Sequence, residues 1–258
     1  MTLTTVQAIL NFMESLAPKA LKMDWDNVGL LCGSRKATVT KVLVALDPFE
    51  HVCKEAADWG AELIVTHHPI IFQALKSVTD DDSVGRGLLT LCRNGISAIN
   101  AHTNLDCTEG GINDVLAEKL GLSQIAKLET DPEGLLRSGT VPTQELTAFL
   151  ASVKTALGCD GLRYADGGKP VSKVAVGGGS CANAMRAAVA AGCDTFVTSD
   201  VRYNQFWDAR DLGLTLIDAG HFCTENPMVA VLAEKLAAHF PEITVKISET
   251  HADCMKFY

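Results

Sequence analysis

No stretch of this chain approaches the roughly 18–20 consecutive apolar residues that a membrane-spanning helix needs, so no membrane association is expected. The N-terminal residues carry no basic cluster, and Glu14 interrupts the apolar run that a secretory leader would require. Positive charge is scarce as well: 22 Lys and Arg stand against 31 Asp and Glu, a formal net charge of −9. A general grip on nucleic-acid phosphates needs a basic face, so nucleic acid is not an expected partner. The 9 cysteines include no CxxC pair and are scattered through apolar patterns. They read as free, small hydrophobes in a reducing compartment, and the expected location is the cytoplasm. There is no P-loop and no dinucleotide fingerprint. No Ser-His-Asp or Cys-His arrangement offers a nucleophilic mechanism.

What is present is core material and a repeat. The 258 residues are 47% hydrophobic and 21% charged, enough for one large domain or two ordinary ones. Lys41–His68 aligns without a gap onto Lys173–Asp200 at an offset of 132, sharing Lys41/Lys173, Val42/Val174, Val44/Val176, Ala56/Ala188, Gly60/Gly192, Val65/Val197 and Thr66/Thr198. Each copy parses as strand, helix, Gly stop and second apolar strand, which is a βαβ unit with parallel strands. The sequence after each copy also corresponds. His102-x3-Asp106 precedes Val115-Leu-Ala-Glu-Lys-Leu120, and His221-x3-Glu225 precedes the identical Val231–Leu236. Helices are expected before each unit, over Thr4–Leu16 and over Thr143–Leu157 with Thr143 as N-cap. The expected fold is therefore α/β, with two similar, closely packed domains from an internal duplication: 1–125 and 126–258, with interlocking allowed. Asp131–Gly134 and Thr140-Val141-Pro142 supply the turn signals at the junction.

Three apolar strands deliver imidazoles and carboxylates at their ends. Leu63–Thr66 runs into His67-His68-Pro69, Ile96–Ala101 into His102 and Asp106, and Leu214–Ile217 into His221 and Glu225. In open α/β sheets ligands bind beyond the C-terminal strand ends. An isolated His-His pair reads equally as a polar loop, but three such ends are harder to explain as solvated loops. The proposed ligands are His67, His68, Asp106, His221 and Glu225. Five mixed nitrogen and oxygen donors exceed one catalytic zinc and suit two divalent ions, with Zn, Mn, Fe, Co or Ni ahead of Mg or Ca. His102 reads as a sixth ligand or as a hydrogen-bonding neighbour of the ligands.

At these residues the chain resembles the NIF-three-like family, whose members often carry the label type-2 GTP cyclohydrolase I. The resemblance rests on Trp25-Asp-Asn-Val-Gly-Leu30, Thr66-His-His-Pro69, His102–Asp106 with Gly110–Asn113, Gly220-His221 with Glu225, and Lys256-Phe257. It implies two similar α/β domains with a dimetal site between them, and a homohexameric toroid whose sites face an inner cavity. One departure concerns Asp200: the family often places His four residues after this Asp, and here Asn204 stands there. Asn can hydrogen-bond but cannot shuttle a proton near neutral pH.

The function expected is that of a metal-dependent hydrolase using a metal-bridging hydroxide, with Asp200 or His102 assisting proton transfer. Its substrate would be a small molecule, nucleotide-like or a cyclic amide or amidine. The competing reading is a non-enzymatic, ring-shaped metal-binding scaffold or metallochaperone. Gly178, Gly179 and Ser180 follow the strand Val174–Val176 and offer either an anion contact through their amides or a tight turn. Trp25 reads as packing or as a lining residue. Cys107 and Cys223 read as bystanders, and His51, His239 and His251 as surface residues without partners.

Overall fold

The structure is a computed structural model that describes residues 3–258. The chain begins with α1 (Val6–Leu16), capped by the Thr5 side chain, followed by β1 (Gly29–Cys32). It continues through β2 (Lys41–Ala45), α2 (Glu50–Trp59), β3 (Leu63–Thr66), α3 (Ser83–Arg93), β4 (Ser97–Asn100) and α4 (Thr103–Cys107). Next come α5 (Ile112–Lys119), β5 (Ser123–Lys127), β6 (Arg137–Gln144), α6 (Leu146–Leu157) and β7 (Arg163–Ala165). The second repeat follows as β8 (Val171–Val176), α7 (Met185–Ala190), β9 (Thr195–Thr198), α8 (Tyr203–Asp211), β10 (Thr215–Asp218) and α9 (His221–Glu225). The chain closes with α10 (Pro227–His239) and β11 (Thr244–Ile247). No described helix is long and apolar enough to cross a membrane.

Two compact units result. The first comprises Met1–Thr108 and Val229–Ala252, the second Glu109–Met228 and Asp253–Tyr258. The division falls earlier than the expected 125/126 boundary, because Leu116 and Ala117 of α5 pack in the core of the second unit and β5 pairs with β6 in the second sheet. The late return of the chain to the first unit follows from β11, which pairs with β2. The six residues shared by α5 and α10 thus serve opposite units.

The first sheet has the order β1-β4-β3-β2-β11, with β2, β3, β4 and β11 parallel and β1 antiparallel. Its central strands are buried on both faces, so Leu63-Ile-Val-Thr66 is a continuous buried run rather than an alternating one. Leu43, Ile64 and Ala98 pack against Val52, Cys53 and Ala56 of α2 and Leu88 and Leu91 of α3. The second sheet has the order β5-β6-β8-β9-β10-β7, in which β8, β9 and β10 are parallel. Here the strand residues divide by face. Val174, Val176, Val197 and Ile217 meet Phe149 and Val153 of α6 and Leu116 of α5, whereas Ala175, Phe196 and Leu216 meet Met185, Ala188 and Ala209.

The repeat read from sequence is structural. Val42 pairs with Leu63 and Val174 with Thr195, so the ladder register keeps the offset of 132. Secondary contacts repeat at the same offset. Lys41 Nζ donates to Trp59 O and Lys173 Nζ to Ala191 O, while the Glu62 and Asp194 carboxylates accept the amides of Lys41 and Lys173. Gly60 and Gly192 both turn the chain with left-handed φ of 75° and 76°. One expected boundary is corrected. Gln144 still pairs with Val171 in the β6–β8 ladder, so Thr143 is extended and α6 starts only at Leu146. For the same reason Thr140-Val141-Pro142 is not a junction turn: it lies in β6, at the register shift that a proline imposes on a ladder.

Candidate metal centre

In the first unit four parallel strands end along one edge, and each end supplies a side chain. Asp47 follows β2, His67 and His68 follow β3, His102 follows β4, and His251 follows β11. His67, His68 and His102 each offer a ligand atom within 4.8 Å of the other two, an arrangement that could hold a metal ion. Asp106, one helical turn after His102 in α4, brings Oδ1 to 3.7 Å from His67 Nε2.

The ring nitrogens facing the fold settle the tautomers. His67 Nδ1–H donates to Ala101 O at 2.9 Å; a carbonyl only accepts, so the proton sits on Nδ1 and Nε2 presents its lone pair. His68 Nδ1–H donates to Asp47 Oδ1 at 2.7 Å, and His102 Nδ1–H donates to Asp26 Oδ1 at 2.8 Å. Both acceptors are ionised. Burial pushes the Asp26 carboxyl up, but hydrogen bonds from His102 and Thr103 outweigh it and hold it well below the usual carboxylate range. At Asp47 burial is likewise outweighed, by hydrogen bonds from His251 and His68. These are the carboxylate–histidine pairs that orient metal-binding imidazoles.

Sequence reasoning missed both carboxylates as supports, and it misjudged His251. That ring is no stray surface histidine: its Nε2–H donates to Asp47 Oδ2 at 2.9 Å and its side chain is nearly buried. The signal available for Asp47 was its place just past a buried strand, at the level of His67 and His68. Trp25 also differs from the packing reading, being 63% exposed with its ring 6.1 Å from that of His102.

The second unit repeats the plan with other side chains. β9 leads to Asp200, β10 to Gly220 and His221, and β8 to the Gly177–Ser180 turn. His221 opens α9 and Glu225 lies one turn on, so both share a face and His221 Nε2 is 3.1 Å from Glu225 Oε2. Asp200 adopts left-handed backbone, φ 53°, unusual for a residue with a side chain. Its carboxylate accepts His221 Nδ1–H at 2.7 Å. Asp200 therefore orients His221 as Asp47 orients His68. Cys223, between His221 and Glu225 in sequence, has its thiol held down by a hydrogen bond from Cys159.

The anion-contact reading of the glycine turn is corrected at two of its three residues. The Gly178 amide donates to Asn113 Oδ1 and the Gly179 amide to Thr224 Oγ1, both within the fold. Ser180 is exposed. The turn serves closeness instead: a Cβ on Gly179 would lie 2.1 Å from Glu225 Oε1.

A duplicated α/β fold with histidines and carboxylates at its strand ends defines a class, and comparison with known proteins gives the family. The model of Duf34/NIF3 (NGG1p interacting factor 3) matches residues 4–254. A Clostridium perfringens protein named GTP cyclohydrolase 1 type 2 homolog is 38% identical over 234 residues, 88% of this chain and 89% of its own. One of the same name from Clostridium acetobutylicum is 33% identical and covers 98% of both chains. Among solved structures, a Bacillus cereus protein related to NIF3 superposes with a TM-score of 0.93 at 26% identity, covering 100% of both chains. Reduced HcgD from Methanocaldococcus jannaschii superposes with a TM-score of 0.84 at 28% identity, over 97% of this chain and 100% of that one. The chain belongs to the Duf34/NIF3 family.

Proposed function

We propose that His67, His68, Asp106, His221 and Glu225 bind two divalent ions, and that the loaded protein is a hydrolase acting on a nucleotide-like or cyclic amide or amidine small molecule. The observation that carries the reading is the uniform state of the imidazoles. His67, His68 and His221 each commit Nδ1–H to an oxygen of the fold, which makes Nε2 the outward donor. Nitrogen and carboxylate donors together fit Zn, Mn, Fe, Co or Ni better than Mg or Ca. When bound, the ions would supply Lewis-acid activation of water. The chain's own contribution is orientation, by Asp47 at His68 and by Asp200 at His221. His102, whose Nδ1 proton is held by Asp26, stands beside His67 and His68 and is our choice for exchanging a proton with substrate.

Elemental analysis of purified protein tests the ligand set. Two ions per chain are expected, falling towards one or none in Glu225→Ala and unchanged in Asn204→Ala. Full occupancy in Glu225→Ala would sink the site. Turnover is tested separately, by a hydrolase screen on metal-loaded protein. Tight metal binding without turnover of any substrate would favour a scaffold or metallochaperone instead.

A further inference from the structure

Two large aromatic side chains beside the histidine cluster are left exposed by the fold. Trp25 is 63% exposed and Phe72 51% exposed, although each has ample apolar area to bury. Their positions are not loose. Asn27 Nδ2 donates to Ile71 O at 2.7 Å, tying the segment that carries Trp25 to the one that carries Phe72. Asn100 Nδ2, at the end of β4, donates to Asn27 O at 3.0 Å, and Met23 N donates to Thr103 Oγ1 at 2.9 Å. Asp26, between Trp25 and Asn27, is the residue that holds His102. A short run of chain therefore fixes an indole and an imidazole at once.

The three rings meet edge to face. Trp25 and Phe72 centroids are 5.8 Å apart at 61°, and His102 lies 6.1 Å from each, at 75° to Trp25 and 72° to Phe72. Rings so arranged form a corner. Each such contact sets the rim of one ring against the face of the other, and the exposure of Trp25 and Phe72 leaves aromatic surface beside His102 against which a flat unsaturated ring can stack.

We infer that Trp25 and Phe72 are specificity-determining residues that stack a planar unsaturated ring of the substrate and present it to His102. This deepens the hydrolase reading and rests on it for the ring's fate, but not for its binding. Stacking selects flatness rather than a hydrogen-bond pattern, because every unsaturated ring has a π-face. A puckered sugar or a saturated ring forfeits the contact. The geometry thus separates two jobs at one site: the aromatic corner selects the ring, and His102 meets its edge.

The test is equilibrium binding to metal-loaded protein, with guanosine 5′-monophosphate as the planar probe and ribose 5-phosphate as the matched probe without a base. The nucleotide should bind at least tenfold more tightly. Trp25→Ala should weaken nucleotide binding roughly 5- to 150-fold, the range of one lost base–aromatic stack, and leave ribose 5-phosphate unaffected. Trp25→Phe should recover most of the loss, and Phe72→Ala should act in the same direction as Trp25→Ala. Metal content should stay at the wild-type value in all variants, which excludes collapse of the site. Equal affinity for the two probes, or nucleotide binding indifferent to Trp25→Ala, overturns the inference. Because binding is read without turnover, a protein that stacks the nucleotide yet hydrolyses nothing refutes the hydrolase reading alone. Hydrolysis of saturated and planar substrates alike, untouched by Trp25→Ala, refutes the stacking alone.

Discussion

Replacing Asp47 by Asn exchanges one carboxylate oxygen for an NH2 group and asks how much a carboxylate behind a ligand contributes to metal affinity. Asp47 Oδ1 accepts His68 Nδ1–H at 2.7 Å and Oδ2 accepts His251 Nε2–H at 2.9 Å, so both oxygens face donors. An amide keeps one acceptor and places an NH2 group against the other donor. If the remaining oxygen serves His68, the loss is that of a charged acceptor. Hydrogen bonds to charged groups contribute roughly 1.5–3 kcal/mol against roughly 0.5–1.5 for neutral ones. A difference of about 1.4 kcal/mol is about tenfold in Kd. If the oxygen serves His251 instead, His68 must turn or move its proton to Nε2, and the donor is lost outright. Both routes lead to a Kd raised about 10- to 100-fold, the range found for such supports. Competition with a chromophoric chelator measures it, with circular dichroism to confirm the fold. His251→Ala leaves the Asp47–His68 contact in place and should change affinity less than threefold. An Asp47→Asn protein within threefold of wild type, or matched by His251→Ala, would refute the reasoning.

Three further outcomes are expected. Glu55 is pushed up by burial but brought down to about 2 by hydrogen bonds from Glu249, Ser248 and Thr250. Its folded value lies below the unfolded one, so its stabilisation is present above the unfolded value and is lost as pH falls. Glu55→Gln should cost about 1–2 kcal/mol in urea unfolding at pH 7 after allowance for solvent screening, and the gap from wild type should close between about pH 5 and pH 2; a gap constant over that window counts against it. Gly179→Ala places a Cβ 2.1 Å from Glu225 Oε1 at a φ of +62°. The carboxylate can swing aside, so the protein should fold with about 1–2 kcal/mol of backbone strain yet bind less metal, and unaltered metal content would contradict this. We also propose a homohexamer, near six times the 27.5 kDa of one chain by light scattering, with the exposed Tyr203 and Trp207 of α8 at a contact. Trp207→Glu should then lower the mass, and a wild-type monomer at micromolar concentration would end the proposal.

Much of this was legible in the sequence because the repeat constrains itself. Lys41, Val42, Val44, Gly60 and Thr66 recur at one offset, and a parallel ladder leaves little freedom once register and strand direction are given. His67, His68, His102 and His221 could be placed at strand ends for the same reason. Asp26 and Asp47 could not be assigned as their partners, because Asp26 lies in the segment before β1 and Asp47 follows β2, and the pairing depends on which strands are neighbours. The position of β11 beside β2 likewise escaped, since nothing local to Thr244–Ile247 names its partner. That is why His251 looked idle. Helix α6 was misplaced because Thr143 has the chemistry of a cap, while ladder pairing at Gln144 overrode it.

The offset of 132 also shows how two copies of one framework diverged. It carries His67 onto Ser199 and His68 onto Asp200, both just past a buried parallel strand. The backbone kept its register through this point, since β2 with β3 and β8 with β9 pair alike. The side chains did not. Ser199 is fully buried, its Oγ has no hydrogen-bond partner among the described residues, and a hydroxyl has no ring nitrogen to offer in place of an imidazole. Asp200 left the strand conformation for left-handed backbone, and its carboxylate was re-aimed at His221. One copy thus uses this position for a histidine that a carboxylate supports, and the other uses it for the supporting carboxylate. The shared element is a strand edge that holds an imidazole–carboxylate pair in a fixed tautomer, whichever partner each strand supplies.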